Sequence, residues 1–200
     1  MSGTFPNTPA PNSIEVQSVE PTLISITSNL TRQARSRGGQ RWGFKVSFAP
    51  MTRADFDPIF SFAIAQRGQY ETFTFVPKTI GTTRGEADEE PVVDGALSAG
   101  VTSASIKSLT ASTSNIIRSG DFLKFSGHSK VYMCTADMSS DGSGDATLAF
   151  VPKLTTAVSD EETVIISSIP FNVAFTSDVS IYATNATTYY SYEIELIEVP

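Results

Sequence analysis

Apolar and polar residues alternate with a period of two over much of the chain, the pattern of strands with one buried and one wet face. Ser13-Ile14-Glu15-Val16-Gln17-Ser18-Val19 and Leu23-Ile24-Ser25-Ile26 are the first such runs. Trp42, Phe44, Val46 and Phe48 then fall on one face of a run that gives the strongest strand signal in the chain. A different period follows. Phe56, Ile59, Phe60, Ala63 and Ile64 form a stripe at helical spacing, predicting a helix over about 52–67. Thr52 with Asp55 matches a capping box, Met51 is placed to staple onto Phe56, and Asp57-Pro58 offers a rival start. Pro58 inside the longer helix predicts a bend, and Gly68 a natural stop. Tyr70 to Val76 alternates again and ends at Pro77.

The texture changes near residue 80. Gly81 to Pro91 is polar, charged and Gly-bearing, and reads as a linker. Short strands then recur at Ser105–Leu109, Asp121–Phe125, Lys130–Cys134, Ala146–Val151 and Thr163–Ile166, separated by Gly/Ser/Asp turns. Phe171–Phe175 and Tyr190–Val199 return to long aromatic-bearing alternation. The pattern predicts an all-β protein with one helix. Its barrel or sandwich domain is split in sequence (1–79 plus 169–200) and carries an inserted small barrel-like module (80–168). Insertion into a surface loop is thermodynamically mild.

Composition narrows the chemistry. The 200 residues are 40% hydrophobic and 18% charged, enough for a core and too apolar for general disorder. One Cys precludes an internal disulfide framework and multi-thiolate metal sites. One His precludes a two-histidine metal motif and leaves a single imidazole base. The net charge of −7 argues against non-specific nucleic-acid binding, which requires basic charge. The N-terminal dozen residues have neither the basic nor the apolar region of a secretory signal, and no apolar run approaches the ~18 residues of a membrane span. This reads as a cytosolic product with Cys134 reduced.

His128, in a Gly/Ser turn, reads as structural or merely exposed, and Cys134 as a buried, inert thiol. Asp137, Asp141 and Asp145 sit among glycines, but their spacing is wrong for an EF-hand and a hairpin turn is the better reading. Catalytic, cofactor and metal residues are therefore all expected to be none. A basic cluster is more informative. Six of the 14 basic residues (Arg32, Arg35, Arg37, Arg41, Lys45 and Arg53) and none of the 21 acidic ones fall in residues 21–54, so this stretch carries +6 and the remainder −13. With Gly38-Gly39 at its tip, Arg32–Arg41 reads as a mobile basic loop. Either it is a solvated hairpin, or it seeks acid on a neighbouring copy. The acidic candidates are Glu86, Asp88, Glu89 and Glu90 in the linker, and Glu193, Glu195 and Glu198 on the wet face of the last strand.

Two segments carry a resemblance. The first is Arg41-Trp42-Gly43-Phe44-Lys45-Val46-Ser47-Phe48-Ala49-Pro50-Met51-Thr52-Arg53-Ala54 with its helix and Gly68-Gln69-Tyr70-Glu71-Thr72-Phe73-Thr74-Phe75. The second is Ser119-Gly120-Asp121-Phe122-Leu123-Lys124-Phe125, Lys130-Val131-Tyr132 and Gly144–Leu154. Together they resemble the distal tail protein, or baseplate hub, family of tailed bacteriophages. The resemblance implies a β-barrel-like hub domain bearing one helix, with a peripheral domain. It also implies a homo-oligomeric ring, usually of six copies, that joins the tail tube to the tip, receptor-binding or fibre proteins. Genome DNA would pass through the channel without specific binding, and the protein would lie in the virion tail after assembly in the host cytoplasm, with no membrane insertion and no cofactor.

A ring of identical subunits needs two different complementary patches on each copy. The basic 32–53 stretch and the acidic linker or last strand are the candidates, and Phe5–Asn12 is a candidate arm toward a neighbouring ring. A carbohydrate- or receptor-binding tail module, a tube subunit and a tail terminator are the alternatives. A hydrolase is disfavoured by the shortage of His and the missing nucleophile-elbow pattern.

Overall fold

The computed structural model describes residues 2–87, 90–185 and 188–200. The first half of the chain forms β1 (Ser13–Val19), β2 (Thr22–Ile26), β3 (Arg32–Ser36), β4 (Arg41–Ser47), helix α1 (Arg53–Ala65) and β5 (Phe73–Phe75). Then come β6 (Val92–Val93), β7 (Ser103–Lys107), β8 (Phe122–Phe125), β9 (Tyr132–Cys134), β10 (Ala146–Val151) and β11 (Val164–Ile165). β12 (Phe171–Phe175), β13 (Tyr182–Thr184) and β14 (Tyr190–Glu198) complete a nearly all-β fold with a single helix among the described residues. The chain divides into two compact units, Met1–Phe73 with Val173–Val199, and Thr74–Asn172. It leaves the first within β5 and returns within β12.

In the first unit the strand order is β1-β4-β14-β12-β5, with β13 paired to β14. Cross-strand rows align the apolar faces: Val16 opposes Phe44, which opposes Leu196, and Ile14, Val46 and Ile194 form the next row. Alternation thus buries Phe44, Val46, Tyr192, Ile194 and Leu196, while Lys45, Glu193 and Glu195 face outward. Helix α1 covers the buried face through aromatic rings. Phe56 lies 4.8 Å from Tyr190 and 5.8 Å from Tyr192 between centroids, and Phe62 meets Phe73 edge-on at 5.3 Å.

The helix departs from expectation in three respects. It runs unbroken across Pro58, and Asp57 does not start it. Thr52 is the N-cap but makes no side-chain cap bond; its hydroxyl instead donates to Asp55 Oδ2 at 2.7 Å. The left-handed turn after the C-cap Gln66 begins at Arg67 (φ 60°), one residue before Gly68. Ile64 remains exposed, and Phe62 takes up contacts outside the sequence stripe. The candidate arm is also corrected. Phe5 is 1% exposed and packs against Phe48, Phe62 and Phe73 of its own unit, while Asn12 N–H donates to Ser47 O.

In the second unit the strand order is β11-β8-β9-β10-β7-β6. A bridge between Val92 and Thr163 nearly closes the two ends of this order into a six-stranded barrel, helped by Val93 N–H to Glu162 O and Val164 N–H to Pro91 O. Closure removes the free edges that open sheets must otherwise protect. The barrel is filled by Ile106, Leu123, Phe125, Tyr132, Leu148, Phe150 and Val164, with the Phe125, Tyr132 and Phe150 rings 5.4–5.6 Å apart.

Among its described residues the 81–91 stretch has no helix or strand, yet residues 83–86 are not a free linker. Thr83 N–H donates to Ile166 O, Glu86 N–H to Asn115 O, and Gly85 lies so close to Ile116 O that a Cβ would approach it to 2.0 Å. Asp121, 4% exposed, anchors the stretch. Its carboxylate accepts from Thr83 Oγ1 (2.6 Å), Arg84 Nε (2.8 Å), Arg84 N–H (3.1 Å) and Arg118 N–H (3.0 Å).

Candidate functional site

The chain's one imidazole is enclosed in a hydrogen-bonded turn. His128 is buried; its Nδ1 lies 3.0 Å from Tyr132 Oη and its Nε2 3.2 Å from Thr156 Oγ1. These contacts tie a turn to a later loop, so His128 is structural rather than exposed. Cys134 is buried, and burial pushes its thiol up from the ordinary cysteine range despite bonds from its Sγ and backbone surroundings, the opposite of activation. Asp141 Oδ1 accepts the Ser143 and Asp145 N–H groups at 2.8 and 3.0 Å, the bonding of a turn-capping aspartate. The 460 Å³ hollow that Asp141 and Asp145 help to line in the second unit contains neither His128 nor Cys134.

The basic stretch is ordered differently from its sequence reading. Arg32–Ser36 is strand β3, paired antiparallel with β2 in a separate two-stranded ribbon. Gly38 and Gly39, both at φ near 70°, turn the chain into β4; only residues with no Cβ adopt two such angles in succession readily. Every residue of β2 and β3 is exposed. Leu23 is 55%, Ile24 53% and Ile26 65% exposed, and Arg32, Arg35 and Arg37 are exposed beside them. The ribbon missed by sequence reading had a signal: alternation in Leu23–Ile26 needs a partner strand, which residues 32–36 supply.

The remaining candidates scatter. Arg41 is exposed at the start of β4, and Arg53 pairs with Asp57 one helical turn on (3.3 Å). Glu86 and Glu90 are exposed in the second unit; Asp88 and Glu89 lie outside the described residues. Glu193 accepts from Lys45 Nζ at 3.0 Å, and that bond and attraction raise the ammonium's pKa and lower the carboxyl's. Glu195 stays exposed on the same face. Glu198 is a correction. It points inward, fully buried, and its Oε2 accepts the Trp42 N–H at 3.1 Å. Glu193 and Glu195 are an even step apart, whereas Glu198 is an odd step further and so turns to the other face.

Beside Glu193 and Glu195 the first unit has a groove of about 510 Å³ between β14 and the 176–183 segment. Val179 (67%) and Ile181 (73%) line it and are exposed. Exposed aliphatics and carboxylates therefore adjoin in the same unit that carries the basic ribbon.

No curated protein matches the chain. Residues 81–169, a little under half of it, match the family model described as distal tail protein pb9, B domain. The matched span closely follows the barrel unit, and it supports a structural role in a phage tail. This match supports a phage distal tail protein family assignment and rests on the 81–169 module.

Proposed function

We propose that this chain is a ring-forming subunit, hexameric in the assembled tail, that joins the tail tube to the tip or receptor-binding apparatus. The discontinuous unit, approximately 1–79 plus 169–200, serves as the ring-forming hub, and the barrel at 80–168 as a peripheral module. Tube protein on one side and tip or fibre proteins on the other are its partners in the virion, after assembly in the host cytoplasm. The role is architectural rather than enzymatic, and genome DNA passes through the channel without specific contacts.

The wholly exposed basic ribbon in an otherwise acidic chain carries this reading. A head-to-tail interface requires two unlike patches, and the exposed Arg32, Arg35 and Arg37 in a chain of net charge −7 support that requirement. Light scattering and negative-stain imaging of the purified full chain test it. Closed rings are expected, and Arg41→Glu is expected to fold but fail to assemble. A strictly monomeric protein at all concentrations overturns the reading.

A further inference from the structure

We infer that the β2–β3 ribbon of one copy seats in the 176–183/β14 groove of a second copy, an inference that rests on the ring reading above and names its contact. A two-stranded ribbon alone is marginally stable in water, so one that also exposes three large aliphatic side chains is a segment awaiting a partner. Its register places Ile24 opposite Ala34 and Ile26 opposite Arg32 on one face, with Leu23 opposite Arg35 on the other. Each face thus offers aliphatic surface together with a cation.

The groove offers the complement. Val179 and Ile181 supply exposed aliphatic surface, and the neighbouring wet face holds Glu15, Glu193 and Glu195 against Lys45, leaving two negative charges to face the ribbon's Arg32, Arg35 and Arg37. The ribbon does not fill the groove of its own copy, because all its residues are exposed. A second copy carries the same groove, and ribbon-into-groove contact between unlike patches propagates from copy to copy until it closes. Apolar burial supplies attraction and charge supplies direction.

Disulfide trapping tests the contact in the full chain. Ile24→Cys is made in one copy and Val179→Cys in a size-tagged copy, and a second pair uses Leu23→Cys with Ile181→Cys. Both pairs carry Cys134→Ser. On mixing and mild oxidation, the mixed dimer is expected to exceed either same-variant dimer by at least tenfold for one or both pairs. Its yield should fall as salt rises from low to molar concentration. As a second measurement, Arg35→Glu and Glu195→Arg copies should each lose assembly by at least tenfold in dissociation constant and recover it when mixed. Rings that form without preferential trapping and without recovery on mixing overturn this contact but leave the ring reading standing. A chain that never oligomerises overturns both.

Discussion

Arg84 Nε lies 2.8 Å from Asp121 Oδ1, yet the arginine side chain is 64% exposed and the aspartate side chain only 3%. The pair is asymmetric in what each member supports. The aspartate also receives the Thr83 hydroxyl and the Arg84 and Arg118 N–H groups, whereas the guanidinium retains water on its outer side. Asp121→Ala should destabilise the barrel unit by about 2–4 kcal/mol, because it strands several donors. Arg84→Ala should cost much less than Asp121→Ala, since exposed ion pairs contribute little. Hydrogen exchange at the Leu123 and Phe125 amides separates the two, and equal effects would contradict the asymmetry.

The same carboxylate should make the barrel acid-sensitive. Burial favours its neutral form, but the Thr83, Arg84 and Arg118 hydrogen bonds outweigh burial and hold its pKa below the ordinary carboxylate value. A depressed folded pKa contributes stability above the unfolded value, and that contribution disappears as pH falls through the folded one. The stability gap between the native chain and Asp121→Asn should therefore be constant near neutrality and narrow on acidification below the ordinary carboxylate range. Urea titrations at a series of pH values measure it; a gap that widens in acid would refute the assignment.

Two glycines of the second unit should respond oppositely to alanine. At Gly85 a Cβ would meet the Ile116 carbonyl oxygen at 2.0 Å and the Asn115 oxygen at 2.6 Å, so backbone must move. At Gly142 nothing stands within 4 Å. We expect a loss of about 2–4 kcal/mol for Gly85→Ala and a change within about 0.5 kcal/mol for Gly142→Ala. Thermal unfolding of the two variants side by side decides this.

Phe5 should act as a core residue despite its position near the start of the chain. Phe5→Ala removes a ring packed on Phe48, Phe62 and Phe73 and should destabilise the first unit by about 3–5 kcal/mol. Trp42, the chain's one tryptophan, lies in that unit and reports the transition by fluorescence. An unchanged midpoint would return the segment to the role of an arm.

Strand identity was legible where alternation was strong and uninterrupted. β1, β10 and β12 occupy Ser13–Val19, Ala146–Val151 and Phe171–Phe175, the spans that alternation or short apolar runs outlined. Tyr70–Val76 shows where local pattern exceeds structure: β5 holds only Phe73–Phe75, and Tyr70 lies exposed with Arg67 over its ring at 4.5 Å. β3 was hidden for the converse reason. Arg32-Gln33-Ala34-Arg35-Ser36 has no apolar face, so only pairing with β2 reveals it as a strand. Among the interface candidates, charge asymmetry drew attention to Arg32, Arg35 and Arg37 without indicating that an exposed ribbon carries them.

The order of apolar and polar residues by itself determined an all-β chain with one helix, because local periodicity dictates which face of each segment can be buried. It also determined the segregation of charge, which is a matter of composition along the chain. Only tertiary structure decided that the Glu198 carboxylate meets the Trp42 N–H, that Asp121 clasps Thr83 and Arg84, and that Phe5 is buried. Each of these depends on residues far apart in sequence meeting in space. Hydrogen bonding and packing at that distance leave no periodic trace in the local sequence.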